Sequence, residues 1–300
     1  MIRVASIQIA PVFLDAQKTW KKLEKKIMEA KSNGAELVTW GETLIPGYPI
    51  WVSPSGGARF NDKHQKKVYA KYWDEAIKLD NSKIIEEMKQ LAKKLEVMLM
   101  GGIAEKDGGS IYCTLLTIGP DGEIKGRHRK LKPTYEERLV WADGDREGLK
   151  THKLKGLRVG GLNCWENWMP LARVALHLQE EILHIAVWPG SSKLTEDISR
   201  FIALEGRSWV VSTSGLIRSI DFLHLDEEVF PMKQIMESRT SSWQNGGSMI
   251  VDPTGKIVQG PLIDKEGILY ENIDPLVAIQ ERQNFDISGH YSRFDIFNKP

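Results

Sequence analysis

Cysteine is scarce in this chain of 300 residues, which contains two thiols, Cys113 and Cys164. Two cysteines cannot form the disulfide framework that is typical of small secreted proteins. If Cys164 takes part in catalysis, Cys113 has no disulfide partner at all. The composition therefore predicts free thiols and a reducing, cytoplasmic location.

Long apolar runs and an excess of either charge are also missing. No stretch approaches the ~18 consecutive apolar residues that a membrane-spanning helix requires. Residues 1–9 show the pattern of a short strand, not that of a secretory leader. Lys and Arg total 41 and Asp and Glu total 40, so no field of one sign points to nucleic acid or to an anionic membrane. We expect neither of these as a partner.

Strand and helix signals alternate along the chain. Asp15 is placed to cap a helix that ends at Asn33-Gly34, and further helices are predicted over 63–79, 84–95 and 196–207. Strands are predicted over 36–40, 97–103, 157–162, 182–188, 209–214 and 267–273. This alternation favours an α/β fold with helices packed outside sheets. Because no linker divides the chain, we expect a single domain over residues 1–300.

Two segments have the pattern of a β-hairpin. Residues 116–124 and 249–257 each read as strand, Pro-x-Gly turn and strand. We expect the glycine of each turn to take a positive φ. The two segments form a weak internal repeat in the sequence.

Cys164 is the residue with the clearest chemical signal. The apolar strand over 157–162 leads into it, and a helix with an early proline, Pro170, is predicted directly after it. A thiol in this position lies at the end of a sheet and near a helix N-terminus. We expect the helix dipole to lower its pKa below the ordinary ~8.5 and to make it a nucleophile.

A thiol nucleophile also needs a base and a group that stabilises developing charge. None of the seven histidines is flanked as a Cys–His pair would demand. Glu42 follows the predicted strand over 36–40, and Lys130 follows the return strand of the first hairpin. Since strand ends meet at one edge of a sheet, Glu42, Lys130 and Cys164 are predicted to converge. Cys113 is interpreted as a core residue of a strand.

Three sequence blocks carry a family resemblance. They read WGETLIPGYP at 40–49, RKLKPT at 129–134 and NCWE at 163–166. Together they resemble the signature blocks of the nitrilase superfamily of carbon-nitrogen hydrolases, and the Cys-Trp-Glu run resembles the nitrilase branch. Residues 136–138 are similar to the segment that supplies a second glutamate. The resemblance runs almost from end to end of the chain.

The resemblance implies a fold, a reaction and a set of site residues. The fold is a four-layer α-β-β-α sandwich. Glu42 is the general base, Lys130 the cationic stabiliser, Cys164 the nucleophile and Glu137 the second carboxylate. An organic nitrile is hydrolysed to a carboxylic acid and ammonia through a cysteine thioimidate and a thioester. The resemblance also implies a homodimer or a larger oligomer, with the helices around 169–179 and before Arg207 at the interface.

No metal and no organic cofactor is required by this chemistry, and the sequence has no metal-ligand spacing. Four aromatic residues in or beside the blocks, Tyr48, Trp51, Trp165 and Trp188, are predicted to line an apolar substrate pocket, with plain core packing as the alternative.

Several alternatives stay open at this point. An amide or carbamoyl hydrolase, or nitrile hydration that stops at the amide, would use the same Glu-Lys-Cys set. A non-catalytic scaffold on the same fold is the alternative from another class. Aliphatic, aryl and arylacetonitrile substrates are not separated by the sequence. The role of Asn167, where many bacterial nitrilases have His, is also open.

Overall fold

The computed structural model describes residues 1–228, 230–231 and 233–297. The strands are β1 Ile2–Gln8, β2 Leu37–Ile45, β3 Met98–Asp107, β4 Ser110–Ile118, β5 Ile124–Arg129, β6 His152–Leu154, β7 Leu157–Asn163, β8 Leu183–Trp188, β9 Trp209–Ser214, β10 Leu216–Ile217, β11 Gln244–Val251, β12 Ile257–Ile263 and β13 Gly267–Ile273. The α-helices are α1 Ala16–Ser32, α2 Lys63–Glu75, α3 Lys83–Leu95, α4 Pro170–His177, α5 Ser192–Gly206, α6 Lys233–Glu237 and α7 Pro275–Arg282. Short 3₁₀ turns cover Leu79–Asn81, Tyr135–Leu139, Cys164–Trp168 and Ser219–Phe222.

The strands form two sheets. The first sheet has the order β13-β1-β2-β3-β4-β5, and the second has the order β10-β11-β9-β8-β7-β6 with β12 beside β11. Each sheet has three parallel strands at its centre, β1 to β3 in the first and β7 to β9 in the second. Antiparallel strands flank both centres. The two hairpins of the weak internal repeat therefore belong to two sheets of similar construction.

Helices cover the outer face of each sheet. Apolar residues of α1 and α3, such as Trp20 and Met88, pack on the first sheet. Ile198 and Ile202 of α5 pack on the second sheet. A third apolar cluster fills the space between the sheets. The predicted four-layer α-β-β-α sandwich is thereby confirmed.

Local sequence signals explain several element boundaries. The side chain of Asp15 accepts a hydrogen bond from the backbone N–H of Lys18 at 2.8 Å and caps α1 as predicted. Gly122 and Gly255 both have a φ of +81° in the β4–β5 and β11–β12 turns, which confirms the two hairpin predictions. A side chain at either position would be strained.

The second strand differs from its prediction. β2 continues past Trp40 to Ile45, so Glu42 lies inside the strand and does not follow it. The pairing of β2 with β3 shifts between Trp40 and Ile45. Glycine at 102 permits this shift, since a Cβ there would lie 2.3 Å from the backbone nitrogen of Thr43.

Polar contacts join the two sheets. The hydroxyls of Ser6 in β1 and Thr213 in β9 lie 2.7 Å apart, and Gln8 accepts hydrogen bonds from the backbone and hydroxyl of Ser248 in β11.

Within the described part of the chain, no helix is both long enough and apolar enough to cross a membrane.

Candidate active site

The structure brings the four predicted reactive side chains together. Glu42 lies in β2, Lys130 directly follows β5, Glu137 lies in the Tyr135–Leu139 turn and Cys164 directly follows β7. All four are buried, with exposures of at most 3%. Lys130 Nζ donates to Glu42 Oε1 at 2.9 Å and to Glu137 Oε2 at 2.6 Å. The thiol sulfur of Cys164 and one oxygen of each carboxylate lie within 4.8 Å of one another.

The backbone at Cys164 takes an uncommon conformation. Its φ is +47°. Residues other than glycine adopt such a value rarely, and it is often found at functional sites. Asn167 holds this turn: its Nδ2 donates to the carbonyl oxygens of Cys164 at 2.9 Å and Leu162 at 3.2 Å. Its Oδ1 accepts from Nε2 of His184 at 2.8 Å. These contacts give Asn167, whose role the sequence left open, a place in the site.

Glu166 is a site residue whose contacts sequence reasoning did not predict. Its buried carboxylate accepts hydrogen bonds from the backbone N–H groups of Asn163 and Leu131 and contacts Nε2 of His128. Because Leu131 follows Lys130, this carboxylate links the segment of the lysine to the turn of the thiol. The available signal was the Glu three residues after Asn163, which is a capping-box pattern.

The charges in the cluster shift the pKa values of its members. Burial acts to lower the pKa of Lys130, but its Coulombic interactions with Cys164, Glu42 and Glu137 together raise it well above its ordinary value. Lys130 is therefore an ammonium group. Burial raises the pKa of Glu42 to about 7; Lys130 opposes this rise and Glu137 adds to it. A base with a pKa near neutrality is well matched to proton transfer at pH 7.

The expected low pKa of the Cys164 thiol is wrong. Burial, followed by the negative charge of Glu42, raises the pKa of this thiol well above its ordinary value. The Cys164–Trp168 turn also separates the thiol from the start of α4 at Pro170, and the effect of a helix dipole fades beyond the first turn. A thiol with this raised pKa is protonated at neutral pH, and a carboxylate oxygen of Glu42 lies within 4.8 Å of its sulfur.

A cavity of about 360 Å³ opens onto Cys164. Of the four predicted pocket aromatics, Tyr48, Trp165 and Trp188 line it. Trp51 does not. Its ring packs in the core, with centroids 5.0 Å from Tyr72 and 6.2 Å from Phe13, and it borders a different cavity. Plain core packing, the alternative left open by the sequence, therefore describes Trp51.

The cavity wall is largely apolar. Its hydrophobic lining includes Ile50, Leu194 and Trp243 besides the three aromatic residues. Tyr48 has a second contact, since its hydroxyl donates to Glu137 Oε1 at 2.9 Å. No histidine among the described residues lines this cavity, in agreement with the carboxylate set.

The spacing of Glu42, Glu137 and Cys164 would suit a metal ion. In this structure the ammonium of Lys130 donates to both carboxylates. The negative charge that would attract a divalent cation thus already has a cationic partner. The donor set fits a lysine-centred site better than a metal centre.

Residues 3–282 match the model of the carbon-nitrogen hydrolase family, and the chain belongs to this family. It is 35% identical over 314 residues to an aliphatic nitrilase of Rhodococcus rhodochrous, covering 99% of this chain and 81% of that protein. It is 33% identical over 298 residues to Nitrilase 2 of Arabidopsis thaliana, covering 99% of this chain and 88% of that protein.

A solved structure confirms the fold. Nit3 of Saccharomyces cerevisiae, a member of branch 10 of the nitrilase superfamily, superposes with a TM-score of 0.72 at 21% identity. The match covers 97% of each chain. The resemblance stated from the three sequence blocks is confirmed at the level of the family.

Proposed function

We propose that this protein is a nitrilase that hydrolyses an organic nitrile to the carboxylic acid and ammonia. The observation that carries the proposal is the buried set of Glu42, Lys130 and Cys164, of which Cys164 lines the cavity. Two relatives that align with almost the whole chain at 33–35% identity are named nitrilases, which supports nitriles as the substrate class.

In the first half of the reaction, Glu42 takes the proton of Cys164 as the sulfur adds to the nitrile carbon. One C–N π pair moves to nitrogen, which takes this proton from Glu42. The product is a thioimidate, and Glu42 is a carboxylate again. The Lys130 ammonium stabilises the charge that develops on nitrogen. A buried donor of this kind contributes about 3 kcal/mol to transition-state stabilisation.

In the second half, Glu42 removes a proton from water as the water oxygen adds to the thioimidate carbon. Glu42 passes this proton to nitrogen, which gives a tetrahedral intermediate with a hydroxyl and an amino group. The hydroxyl proton then moves through Glu42 to the amino group, ammonia leaves and a thioester remains. A second water then cleaves the C–S bond, which releases the acid and restores the thiol. In this scheme Glu137 holds Lys130 in place through the 2.6 Å contact.

The apolar cavity favours an uncharged nitrile with a hydrophobic substituent. Tyr48, Trp165 and Trp188 supply aromatic surface, and the described lining includes Glu136 and Glu137 as its charged side chains. A carboxylate on the substrate would be repelled by these acidic groups.

The test is a panel of aliphatic, aryl and arylacetonitriles with their amides, in which acid and amide are both quantified. A nitrilase converts nitriles to acid, and the Cys164→Ala variant keeps its fold and loses turnover. Hydrolysis of amides without nitrile turnover would replace the proposal with an amidase. Amide as the main product would indicate hydration, and full activity of Cys164→Ala would end the mechanism.

We also propose that the chain forms a homodimer through α4 and α5. Exposed apolar side chains lie on and beside these helices: Trp168, Met169, Leu171, Phe201 and Leu204. Exposed clusters of this kind mark interaction surfaces. Leu171→Glu should convert the dimer to monomer in light scattering, whereas Leu276→Glu, an exposed leucine on α7, should leave it unchanged. A monomeric wild-type protein would contradict the proposal.

We further propose that residues 1–300 form one domain and that the protein resides in a reducing compartment. The apolar cluster between the sheets contains residues from both halves of the chain, which supports a single domain. Cys113 and Cys164 are both free and buried, which is compatible with a reducing compartment.

A further inference from the structure

Cys113 contacts both Glu42 and Lys130. It lies in β4 with 1% of its surface exposed. Its thiol donates to Glu42 Oε1 at 3.3 Å, and its backbone carbonyl accepts from the backbone N–H of Lys130 at 2.8 Å. One residue thus holds the side chain of Glu42 and the backbone of Lys130.

The two oxygens of Glu42 have different surroundings. Oε1 accepts from the ammonium of Lys130 at 2.9 Å and from the thiol of Cys113. Oε2 is buried and makes no hydrogen bond to the described residues. A carboxylate with one oxygen held by two donors has its other oxygen available to take a proton.

We propose that Cys113 is a positioning residue for the reaction: its thiol holds Oε1 of Glu42, so that Oε2 receives the proton from Cys164 and from water. The inference rests on the proposed function, in which Glu42 is the general base. It differs from the earlier interpretation of Cys113 as a core residue only, because the thiol is a hydrogen-bond donor to the reactive carboxylate.

The thiol of Cys113 is suited to donate and not to attack. Burial, followed by the negative charge of Glu42, raises its pKa well above the ordinary value, so it keeps its proton. A thiol is a weak donor, and its hydrogen bond acts to lower the pKa of Glu42.

Glu42 is surrounded by several groups that carry or can carry charge, and each remains unchanged in the variants tested below. They come from the segment after β5, the Tyr135–Leu139 turn, the turn after β7, the loop after β2 and helix α2: Lys130, Glu137, Cys164, Tyr48 and Tyr72. A change in the titration of Glu42 on substitution of Cys113 therefore reports the loss of this one donor.

The experiment follows alkylation of Cys164 by iodoacetamide from pH 5 to 9, with mass spectrometry to locate the label. Wild type is compared with Cys113→Val, Cys113→Ala and Cys113→Ser. Ile111→Val, on the same face of β4 two residues away and packed in the same apolar cluster, is the control for core disturbance. The assay needs no nitrile, so a failure of the proposed substrate and a failure of this inference are distinguishable.

Without the donor, the ionised form of Glu42 loses a hydrogen bond and its pKa rises. In Cys113→Val and Cys113→Ala, the acidic limb of the rate profile should therefore move to higher pH by roughly half to one pH unit. Cys113→Ser restores a donor and should return the limb to the wild-type position or below it. Ile111→Val should match wild type.

Unchanged limbs in both Cys113→Val and Cys113→Ala would overturn the inference. So would an equal shift in Ile111→Val, which would mean that packing alone is responsible. If circular dichroism shows that Cys113→Val does not fold, the comparison of the rate profiles of Cys113→Ala and Cys113→Ser tests the inference.

Discussion

Glu166 and Leu131 join the segments that carry the lysine and the thiol. The backbone N–H of Leu131 donates to Oε1 of Glu166, although 35 residues separate the two along the chain. Lys130 precedes Leu131, and Cys164 lies two residues before Glu166. One buried carboxylate therefore joins the segment of Lys130 to the turn of Cys164.

Glu166→Gln should lower both activity and stability. The variant keeps one acceptor oxygen but turns an NH₂ group toward the donors that the carboxylate accepted. We expect kcat/KM to fall at least ~100-fold and the free energy of unfolding to fall by roughly 2–4 kcal/mol, because buried donors lose their partner. Steady-state kinetics and urea unfolding measure the two effects, and Glu147→Gln, an exposed glutamate, is the control. Wild-type values in both assays would remove Glu166 from the site.

Asn167→Ala should loosen the turn that carries the thiol. The carbonyls of Cys164 and Leu162 would lose their side-chain donor, and the positive φ at Cys164 would lose its support. We expect a fall of roughly 10- to 100-fold in kcat and about 1–3 kcal/mol in stability. The kcat of the variant, set beside its rate of Cys164 alkylation, measures the change. A fall in KM alone, with kcat unchanged, would argue against this role.

Glu137→Gln should lower both activity and stability. The amide keeps the size of the side chain and one acceptor, but Lys130 then pairs with a single carboxylate. We expect kcat to fall at least ~100-fold and the free energy of unfolding to fall by roughly 2–4 kcal/mol, because Lys130 and the backbone N–H of Thr134 lose a charged acceptor. Glu123→Gln, an exposed glutamate in the β4–β5 turn, is the matched control. Unchanged kinetics would show that the second carboxylate is dispensable.

The rate of nitrile hydrolysis should depend on the ionisation of Glu42. The base must be deprotonated to accept the thiol proton, and its pKa is raised to about 7. We expect kcat/KM to fall about tenfold per pH unit below this value. A profile that stays flat to pH 5 would exclude Glu42 as the titrating base.

The same pKa has a consequence for stability. The folded protein holds a proton on Glu42 that the unfolded chain releases, since the ordinary pKa is 4.5. The contribution of this group to the free energy of unfolding is therefore full below about pH 4.5 and falls as pH rises toward 7. Glu42→Gln lacks this dependence. Relative to the variant, wild type should lose roughly 2–4 kcal/mol between pH 5 and 8, as measured by urea unfolding at both pH values.

Much of the fold could be predicted from local patterns. The strand over 267–273 has the predicted bounds, and the helix after Asp15 has the predicted cap. In both cases the determining residues are neighbours in sequence. The placement of Lys130 after β5 and of Cys164 after β7 could be predicted for the same reason.

What the sequence could not predict depends on distant residues. The contact between Cys113 and Glu42 joins positions 71 residues apart, and no local pattern marks it. The raised pKa of Cys164 arises from its burial and from the negative charge of Glu42, which is distant in sequence. Trp51 is close to Tyr48 in sequence, yet its ring turns toward Phe13 and away from the cavity. Local spacing does not specify any of these outcomes.

The site is divided between the two sheets: Glu42 and Lys130 belong to the first, and Cys164 belongs to the second. A refolding chain that has formed only one sheet holds either a base without a nucleophile or a nucleophile without a base. Such an intermediate cannot turn over a nitrile. The return of nitrile hydrolysis during refolding therefore reports the docking of one sheet on the other, and catalysis is among the last properties that the chain recovers.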